Sequence, residues 1–568
     1  MTRTEVADHV SRRSPPATHA TGRFVQRVDV ATTPLTLALI AGAVSLAIGC
    51  YQLSLPHVLS GVLGWNEGYD DGVYLGVATR FVHGVLPYRD FVFVQPPGIV
   101  YLMTPVALVG RIFGTDLALE IARCITVVII ALNATLAGLV VRSVGRLATA
   151  IAAFSLALWP LTVGVDRTLE LEPFLVCFCL LGAILVFNGN ELGSWRRVLF
   201  GGMAFGFAGA VKIWAILPII AVLMICLPKW RSRGLPLVLG IGIGALVPSL
   251  PFLIAAPHAM FHDVIVAQSQ RQLYFGTTPT SLGDRLLQIA GLGGTPSAIS
   301  NSAALGYIVF VVFALLVAGV YILGARRRTL VEWFVLVASV VVFFGLFEAT
   351  QVEPHYAYFP AVFLAMLLGI CLSHAFRAVL VLVKRRWAPH RRLTLAIPVL
   401  AAALVLFLVA LLVAQDTAFA DTYLSEASDP SAGLASVIPP GACVISDYPS
   451  DLIVANRFTP TQPGCPAVID PLGSYLADDN GDTPHPSPPF SVAFVEEWFS
   501  WLQVADYVEL RIPFSDFLPW TSTTAAWFNQ NYRLVAHFSY VYPQGYIDRV
   551  KYEYVYKNIS PMALPMPG

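Results

Sequence analysis

The sequence predicts an α-helical polytopic membrane protein of about eleven transmembrane helices with a C-terminal extracytoplasmic α/β domain. Hydrophobic residues make up 56% of the 568 residues, and charged residues only 12%. Many apolar stretches are longer than a soluble core accommodates, so the bilayer is the solvent for most of the chain. The basic clusters between these stretches fall on one side of the membrane when the stretches are read as successive spans.

Residues 1–32 precede the first span and carry five arginines among proline and serine, without apolar periodicity. This composition is typical of a disordered tail, and its positive charge predicts a cytoplasmic location. The first apolar run, at about 35–55, is too long for a signal-peptide core and is interpreted as a retained span. The formal net charge of the chain is zero, so no overall field attracts nucleic acid.

Nine further apolar runs lie at about 121–141, 148–164, 174–187, 198–228, 235–256, 303–324, 330–347, 357–383 and 393–414. The run at 198–228 follows Arg196 and Arg197 and precedes three more basic residues. Both of its ends are therefore expected in the cytoplasm, so it crosses twice as a hairpin and brings the count to eleven. The predicted domains are the tail at 1–32, a transmembrane domain at 33–414 and an extracytoplasmic soluble domain at 415–568.

Two helices that do not cross the membrane are predicted in the first outer loop, at about 56–120. Asp70 and Asp71 precede apolar residues at four-residue spacing, which indicates a surface helix with an acidic N-terminus. The stretch Gly98–Phe113 is apolar but short, so it is interpreted as a juxtamembrane or re-entrant helix. In the soluble domain, strand-like runs at Ala442–Ser446, Ala505–Leu510 and Arg533–Tyr540 indicate a small α/β unit.

The eight cysteines divide by their predicted location. Six lie in predicted spans and are interpreted as small apolar side chains. Cys443 and Cys465 both lie in the outer domain, where an even pair in an oxidising compartment is a disulfide candidate. His258 and His262 share a helix face with the spacing of metal ligands, but no third ligand is in view, so no metal site is predicted there.

Acidic residues collect near the outer surface in two clusters, one at Tyr69–Tyr74 and one at Asp166–Pro173. Acidic side chains near a bilayer are costly unless they are solvated or used. A pair of carboxylates at the membrane face can accept the proton of a hydroxyl nucleophile, which glycosyl transfer requires. The structural alternatives are a helix cap for the first cluster and a solvated loop for the second.

Three motifs in the first outer loop resemble those of the GT-C membrane glycosyltransferases, in the branch of protein O-mannosyltransferases and the aminoarabinose transferase. They are Asp70-Asp71-Gly-Val-Tyr74, Pro87-Tyr88-Arg89-Asp90-Phe91 and Gln95-Pro96-Pro97-Gly98. The resemblance continues through Glu172-Pro173, Gly206 to Lys212, and His355-Tyr356 with Pro360. It implies a donor sugar carried on polyprenyl phosphate.

The resemblance also implies roles for individual residues. Asp70 is the expected catalytic base and Glu172 the second acidic residue, with Asp71 and Glu170 as the nearest substitutes. Gln95 departs from relatives that have a basic residue at this point to meet the donor phosphate. Phosphate recognition would then fall to an arginine that can make a bidentate contact, and the candidates are Arg89, Arg123, Arg80 and Arg271.

Each of these residues also has an alternative interpretation. Arg89 or Arg123 is equally well explained as a snorkelling residue at the headgroups. His355 and Tyr356, at the mouth of a span, either line the donor groove or are buried structural residues. No cofactor is expected, although a divalent cation stays open as an alternative.

The resulting hypothesis is a glycosyltransferase that moves a sugar from a polyprenyl-phosphate donor to an envelope glycan, lipid or protein at the outer face. The alanine- and valine-rich composition suggests an actinobacterial source, for which mannose or arabinose is the expected sugar. A transporter or flippase for a lipid-linked envelope precursor is the main alternative. Transporters place polar sites near the midplane, whereas here the polar residues gather at one face. A sensor or scaffold remains the third interpretation.

Overall fold

The computed structural model describes residues 33–54, 68–159, 165, 168–269, 282–290, 302–324, 328–347, 354–386, 431–478, 490–511, 513–514, 518–541 and 550–560. The helices of the membrane region are, in chain order, α1 (Pro34–Ser54), α2 (Tyr69–Val82), α3 (Gly98–Phe113), α4 (Thr115–Val140), α5 (Arg146–Leu158), α6 (Leu171–Val186), α7 (Trp195–Val211), α8 (Ile216–Cys226), α9 (Leu235–Ala255), α10 (Pro257–Phe261), α11 (Leu282–Ile289), α12 (Ser302–Leu323), α13 (Leu330–Phe347) and α14 (Tyr358–Arg386). A two-residue hairpin pairs β1 (Phe187–Asn188) with β2 (Glu191–Leu192) between α6 and α7.

Within the described residues, six helical stretches are long and apolar enough to cross a membrane. One of them, Ile213–Ala255, has 43 residues and contains both α8 and α9. A helix needs about 20 residues to cross the hydrocarbon core, so this stretch is long enough for two crossings. Three shorter apolar helices, α3, α5 and α6, pack among the long ones. The chain is therefore a multi-pass membrane protein.

The predicted elements of the membrane region are largely present. The helix predicted at the acidic pair is α2, and the helix predicted at Gly98–Phe113 is α3 with those bounds. Helix α2 is buried along most of its length, from Asp71 to Arg80, and not open on one face as a surface helix would be. The run at 198–228 contains two helices, α7 and α8, separated by a break at Lys212, as a hairpin requires. The predicted span at 393–414 lies outside the described residues. The count of eleven spans accordingly stays a prediction.

Close packing of α7 against α9 depends on small residues at helical spacing. A Cβ added at Gly202 or Gly206 would lie 2.3 or 2.1 Å from a backbone oxygen of α9, and one at Gly240 or Gly244 would meet α7 in the same way. Spacing of four residues places each pair on one helix face, so the two backbones approach directly. This contact holds α7, whose C-terminal end leads into Lys212.

The C-terminal region, residues 431–560 as described, is built on a sheet. Its elements are α15 (Ser431–Val437), β3 (Val444–Ser446), α16 (Pro449–Val454), α17 (Pro471–Ala477), α18 (Val492–Val504), β4 (Tyr507–Leu510), α19 (Ser522–Asn531), β5 (Tyr532–Val541) and β6 (Val550–Asn558). The strand order is β3-β4-β6-β5; β3 and β4 are parallel and the other pairs antiparallel. The three predicted strand runs correspond to β3, β4 and β5, whereas β6 was not predicted.

Side chains on the two faces of the sheet belong to two different hydrophobic cores. Val508 and Leu510 of β4 face a core that contains Trp498 and Phe528, while Tyr507 belongs to the core shared with the membrane helices. Strand residues alternate between faces, so one face of the sheet packs toward the membrane region. The candidate pair Cys443 and Cys465 is joined by a disulfide, with Cα atoms 5.5 Å apart.

The sheet region contacts the membrane region directly at the start of α2. The Ser450 hydroxyl, in α16, accepts a hydrogen bond from the Gly72 amide at 2.9 Å and donates one to the Gly68 carbonyl at 2.6 Å. A Cβ at Gly72 would lie 2.3 Å from the Ser450 amide nitrogen, so only glycine permits this approach. The position of the first turn of α2 therefore depends on α16.

Candidate active site

The acidic first turn of α2 begins the candidate site. Gly68 precedes the helix in an extended conformation, and Asp70 and Asp71 follow in the first turn, where the helix dipole favours negative charge. The two neighbouring carboxylates have different surroundings. The Asp70 side chain is 30% exposed, whereas that of Asp71 is fully buried.

Asp71 forms a buried ion pair. Its Oδ2 accepts hydrogen bonds from Nε, at 3.1 Å, and Nη2 of Arg123 in α4, and its Oδ1 accepts one from the Leu169 amide. Arg123 is only 2% exposed. These hydrogen bonds join α2, α4 and the segment before α6. Removal of either Asp71 or Arg123 would leave the other charge buried without compensation, which is strongly destabilising.

Two glutamates lie where α6 begins. Glu170 precedes the helix in an extended conformation and accepts a hydrogen bond from the Thr168 hydroxyl at 3.1 Å. Glu172 is in the first turn, is fully buried, and pairs with the ammonium of Lys212. The loop of the second predicted cluster also contains Asp166, which lies outside the described residues.

Lys212 lies in the break between α7 and the short 3₁₀ turn Ile213–Ala215. Its Nζ is 3.9 Å from the ring centroid of Trp214 and 4.2 Å from that of Tyr356. Both distances are within the range of cation–π attraction, so one carboxylate and two aromatic rings surround this ammonium group. Tyr356 itself is buried.

His355 connects the two acidic clusters. It lies in the 3₁₀ turn Pro354–Ala357, just before α14. Its Nε2 is 3.5 Å from Oε2 of Glu170 and 3.7 Å from Oδ2 of Asp70. One ligand atom from each of these three residues lies within 4.8 Å of the other two. Imidazole and carboxylate are ligands that divalent metals use, so this cluster fits one cation.

Burial and neighbouring charges shift the pKa of the Asp70 and Glu170 carboxyls, which both lie outside the spans. Burial raises the pKa of Asp70 above its ordinary value, while the nearby His355 and Lys212 oppose this shift. The pKa of Glu170 lies well above its ordinary value because of burial and then because of the Asp70 and Glu172 charges. A partly exposed carboxyl with a raised pKa is suited to accept a proton near neutral pH.

Two other arginine candidates, Arg89 and Arg80, have separate surroundings, and Arg271 lies outside the described residues. Arg89 is half exposed and pairs with its neighbour Asp90, whose Oδ2 also accepts a hydrogen bond from the Leu86 amide at 2.7 Å. Arg80 is buried, with its guanidinium carbon 5.0 Å from the centroid of the Phe458 ring.

The remaining motif residues lie in a loop between α2 and α3. The Gln95 backbone carbonyl accepts a hydrogen bond from the Tyr88 hydroxyl at 2.6 Å, and Tyr88 has a positive φ of 67°. This contact closes the loop that contains both the Pro87–Phe91 and the Gln95–Gly98 motifs. Asp263 also holds this loop, since its carboxylate accepts a hydrogen bond from the Phe93 amide at 3.2 Å.

The sequence interpretation did not assign a role to Lys212. The segment Gly206 to Lys212 is one of those that resemble the GT-C glycosyltransferases, but Lys212 was not predicted to pair with Glu172. A signal was available, since Lys212 is the single charged residue of the apolar run at 198–228, and such residues are costly and commonly functional.

Comparison with solved structures identifies the fold that brings these residues together. ArnT from Cupriavidus metallidurans, solved bound to undecaprenyl phosphate, matches 96% of this chain and 100% of its own, at 15% identity and a TM-score of 0.51. The Archaeoglobus fulgidus oligosaccharyltransferase, in complex with Zn and sulfate, matches 92% of this chain and 73% of its own, at 14% identity and a TM-score of 0.47. Neither a protein-family model nor a curated protein matches the sequence. The chain has a GT-C-like fold, as its motifs predict.

Proposed function

We propose that this protein is a membrane glycosyltransferase that transfers one sugar from a polyprenyl-phosphate donor to an acceptor at the outer face of the membrane. The observation that carries the proposal is the convergence of Asp70, Glu170 and His355 beside the pair of Lys212 and Glu172. A base and a cation in one site are what glycosyl transfer from a phosphate requires. The similar structure of ArnT, bound to undecaprenyl phosphate, agrees with this donor class.

Asp70 is the proposed base because its carboxylate is partly exposed whereas those of Asp71 and Glu172 are held in buried ion pairs. The acceptor hydroxyl oxygen forms a bond to the anomeric carbon of the sugar. The bond from that carbon to the phosphate oxygen breaks, and its electron pair leaves with the polyprenyl phosphate. The hydroxyl proton passes to Asp70, and a single displacement inverts the anomeric carbon.

Lys212 is the proposed contact for the donor phosphate, with Glu172 and the two aromatic rings holding its ammonium group in place. His355 and Tyr356 line the same site. Arg123 is paired with Asp71 in this arrangement, and its proposed role is to position α2. Arg89 lies on a loop and remains a candidate for contacts to the lipid phosphate once its ion pair with Asp90 opens.

The orientation belongs to the same proposal. Residues 1–32 form a cytoplasmic tail, 33–414 the transmembrane domain, and 415–568 an extracytoplasmic domain that covers the site. This arrangement supports an outer-face reaction because the sheet region contacts α2, the helix that carries Asp70. Mannose or arabinose is the proposed sugar, and an envelope glycan, lipid or protein the acceptor.

A donor screen tests the proposal. Purified protein in lipid nanodiscs is given radiolabelled polyprenyl-phosphate mannose or arabinose together with an envelope extract as acceptor. The expected result is transfer of label to the acceptor with release of free polyprenyl phosphate, and its loss in Asp70→Asn. In proteoliposomes, movement of intact donor between leaflets without cleavage of the sugar–phosphate bond would instead identify a flippase and reject the proposal.

A further inference from the structure

A second group of acidic residues lies in the sheet region, apart from the candidate active site. Asp447 and Asp451 follow β3, Glu509 is in β4 and Glu553 is in β6. Each is no more than 4% exposed. The charges of Asp447, Asp451 and Glu553 all act on Glu509, so the four carboxyls form one cluster.

Arg511 is the basic residue that this cluster contacts in the described part of the chain. Its guanidinium donates two hydrogen bonds to Asp451, both at 2.5 Å, and its backbone amide donates one to Asp447 at 2.9 Å. Its Nε is 4.0 Å from Glu553, beyond hydrogen-bond distance. Arg511 therefore donates hydrogen bonds to Asp447 and Asp451, and its guanidinium donates none to Glu509 or Glu553.

Glu553 supplies an independent observation that points to a ligand. Its side chain is fully buried, and neither of its carboxylate oxygens accepts a hydrogen bond from an N–H or hydroxyl group of the described residues; its neighbour is the carboxyl of Asp451. Glu509 has one such oxygen, and its other oxygen accepts a hydrogen bond from the Ser446 hydroxyl. Buried carboxylates without partners are strongly disfavoured unless a proton or a cation neutralises them.

The distances between the carboxylate oxygens fit a single bound cation. One carboxylate oxygen from each of Asp451, Glu509 and Glu553 lies within 4.8 Å of the other two. Calcium binds oxygen ligands at about 2.3–2.6 Å, so two oxygens on opposite sides of the ion are about 5 Å apart. We propose that Asp451, Glu509 and Glu553 bind one divalent cation, with calcium as the best-fitting ion, between the sheet and α16.

The location gives this site a structural role. Asp451 is adjacent to Ser450, whose hydroxyl holds the Gly68 carbonyl and the Gly72 amide at the start of α2. Tyr448, at the other end of the same segment, packs edge-on against Tyr69 with ring centroids 5.3 Å apart. A cation that binds Asp451 to β4 and β6 therefore fixes α16 against α2, outside the candidate active site.

Calcium binding to the full-length protein in detergent tests this inference. After treatment with EDTA, equilibrium dialysis with radioactive calcium should show saturable binding, and added calcium should raise the thermal unfolding midpoint. Glu553→Gln should weaken this binding by more than about 10-fold, since loss of even an outer-shell partner commonly costs that much. Glu497→Gln, an exposed change in α18, should retain it.

Two results would overturn the inference. Wild-type protein that binds no calcium and shows no change in its midpoint would mean that shared protons neutralise the cluster. Binding that is equal in wild type and Glu553→Gln would place the ion elsewhere, including the cluster around His355. If Glu553→Gln does not fold, Glu509→Gln and the wild-type dialysis give the same decision. None of these measurements depends on glycosyl transfer.

Discussion

Asp70→Asn is the substitution that separates a catalytic role of the first acidic pair from a structural one. Asparagine preserves the size of the side chain and most of its hydrogen bonding but cannot accept the acceptor proton. Loss of a general base typically costs about 100-fold or more in turnover, and that loss is the expected result. Removal of a negative charge from the first turn of α2 should cost only about 0.3–1 kcal/mol of stability.

Asp71→Asn is the matched control, because the same chemical change occurs one residue further along the helix. Asp71 is fully buried against Arg123, which is itself only 2% exposed. Removal of one partner from a buried ion pair typically costs about 3–5 kcal/mol. This variant should therefore lower the thermal unfolding midpoint in detergent far more than Asp70→Asn does.

The assay measures sugar transfer and the unfolding midpoint on the same preparations of wild type and the two variants. The expected pattern is a folded, inactive Asp70→Asn and a destabilised Asp71→Asn. Near-normal transfer by Asp70→Asn would refute the assignment of Asp70 as the base. An Asp71→Asn protein as stable as wild type would refute the reasoning on its ion pair with Arg123.

Four further outcomes are expected. Lys212→Met should lower both transfer and the unfolding midpoint, because it leaves Glu172 buried without its cation. The double variant that also carries Glu172→Gln should recover the midpoint but not transfer. Because burial raises the pKa of Asp70 and the base must be ionised, a pH–rate profile should show transfer falling as the pH drops, with its midpoint above the ordinary value of about 3.9. Mass spectrometry should find free thiols at Cys443 and Cys465 only after reduction, and reduction should cost about 3 kcal/mol for a separation of 22 residues. An impermeant reagent should label Ser487→Cys in intact cells but Ser232→Cys only after lysis; the reverse pattern would invert the proposed topology.

Local sequence patterns predicted most of the elements. The bounds of α3 follow from a short apolar run that begins with Gly98, and α2 begins at its acidic pair as expected. Such features depend on apolar length and on residues near one another in the chain, which a single sequence displays. Strand β6 was missed because its alternating lysine, glutamate and tyrosine residues lack the apolar character that marked β3 and β4.

Partners that are distant in the chain could not be read from the sequence. Asp70 and Asp71 are adjacent and chemically identical, yet Arg123, 52 residues away, buries one of them and leaves the other accessible. Lys212 and Glu172 are 40 residues apart and meet only because α6 and α7 pack together. Sequence similarity indicated that these residues belong to one site but not which of them are paired.

The sequence by itself determined that the chain is a multi-pass membrane protein with a GT-C-like fold, because the length of apolar runs and the order of short motifs are local properties. Only the tertiary structure decided which carboxylate remains accessible at the mouth of the site. It also brought Asp451, Glu509 and Glu553 together from α16 and two strands. The physical reason is that the protonation and accessibility of a carboxyl depend on burial and on neighbouring charges, which are set by packing between distant segments.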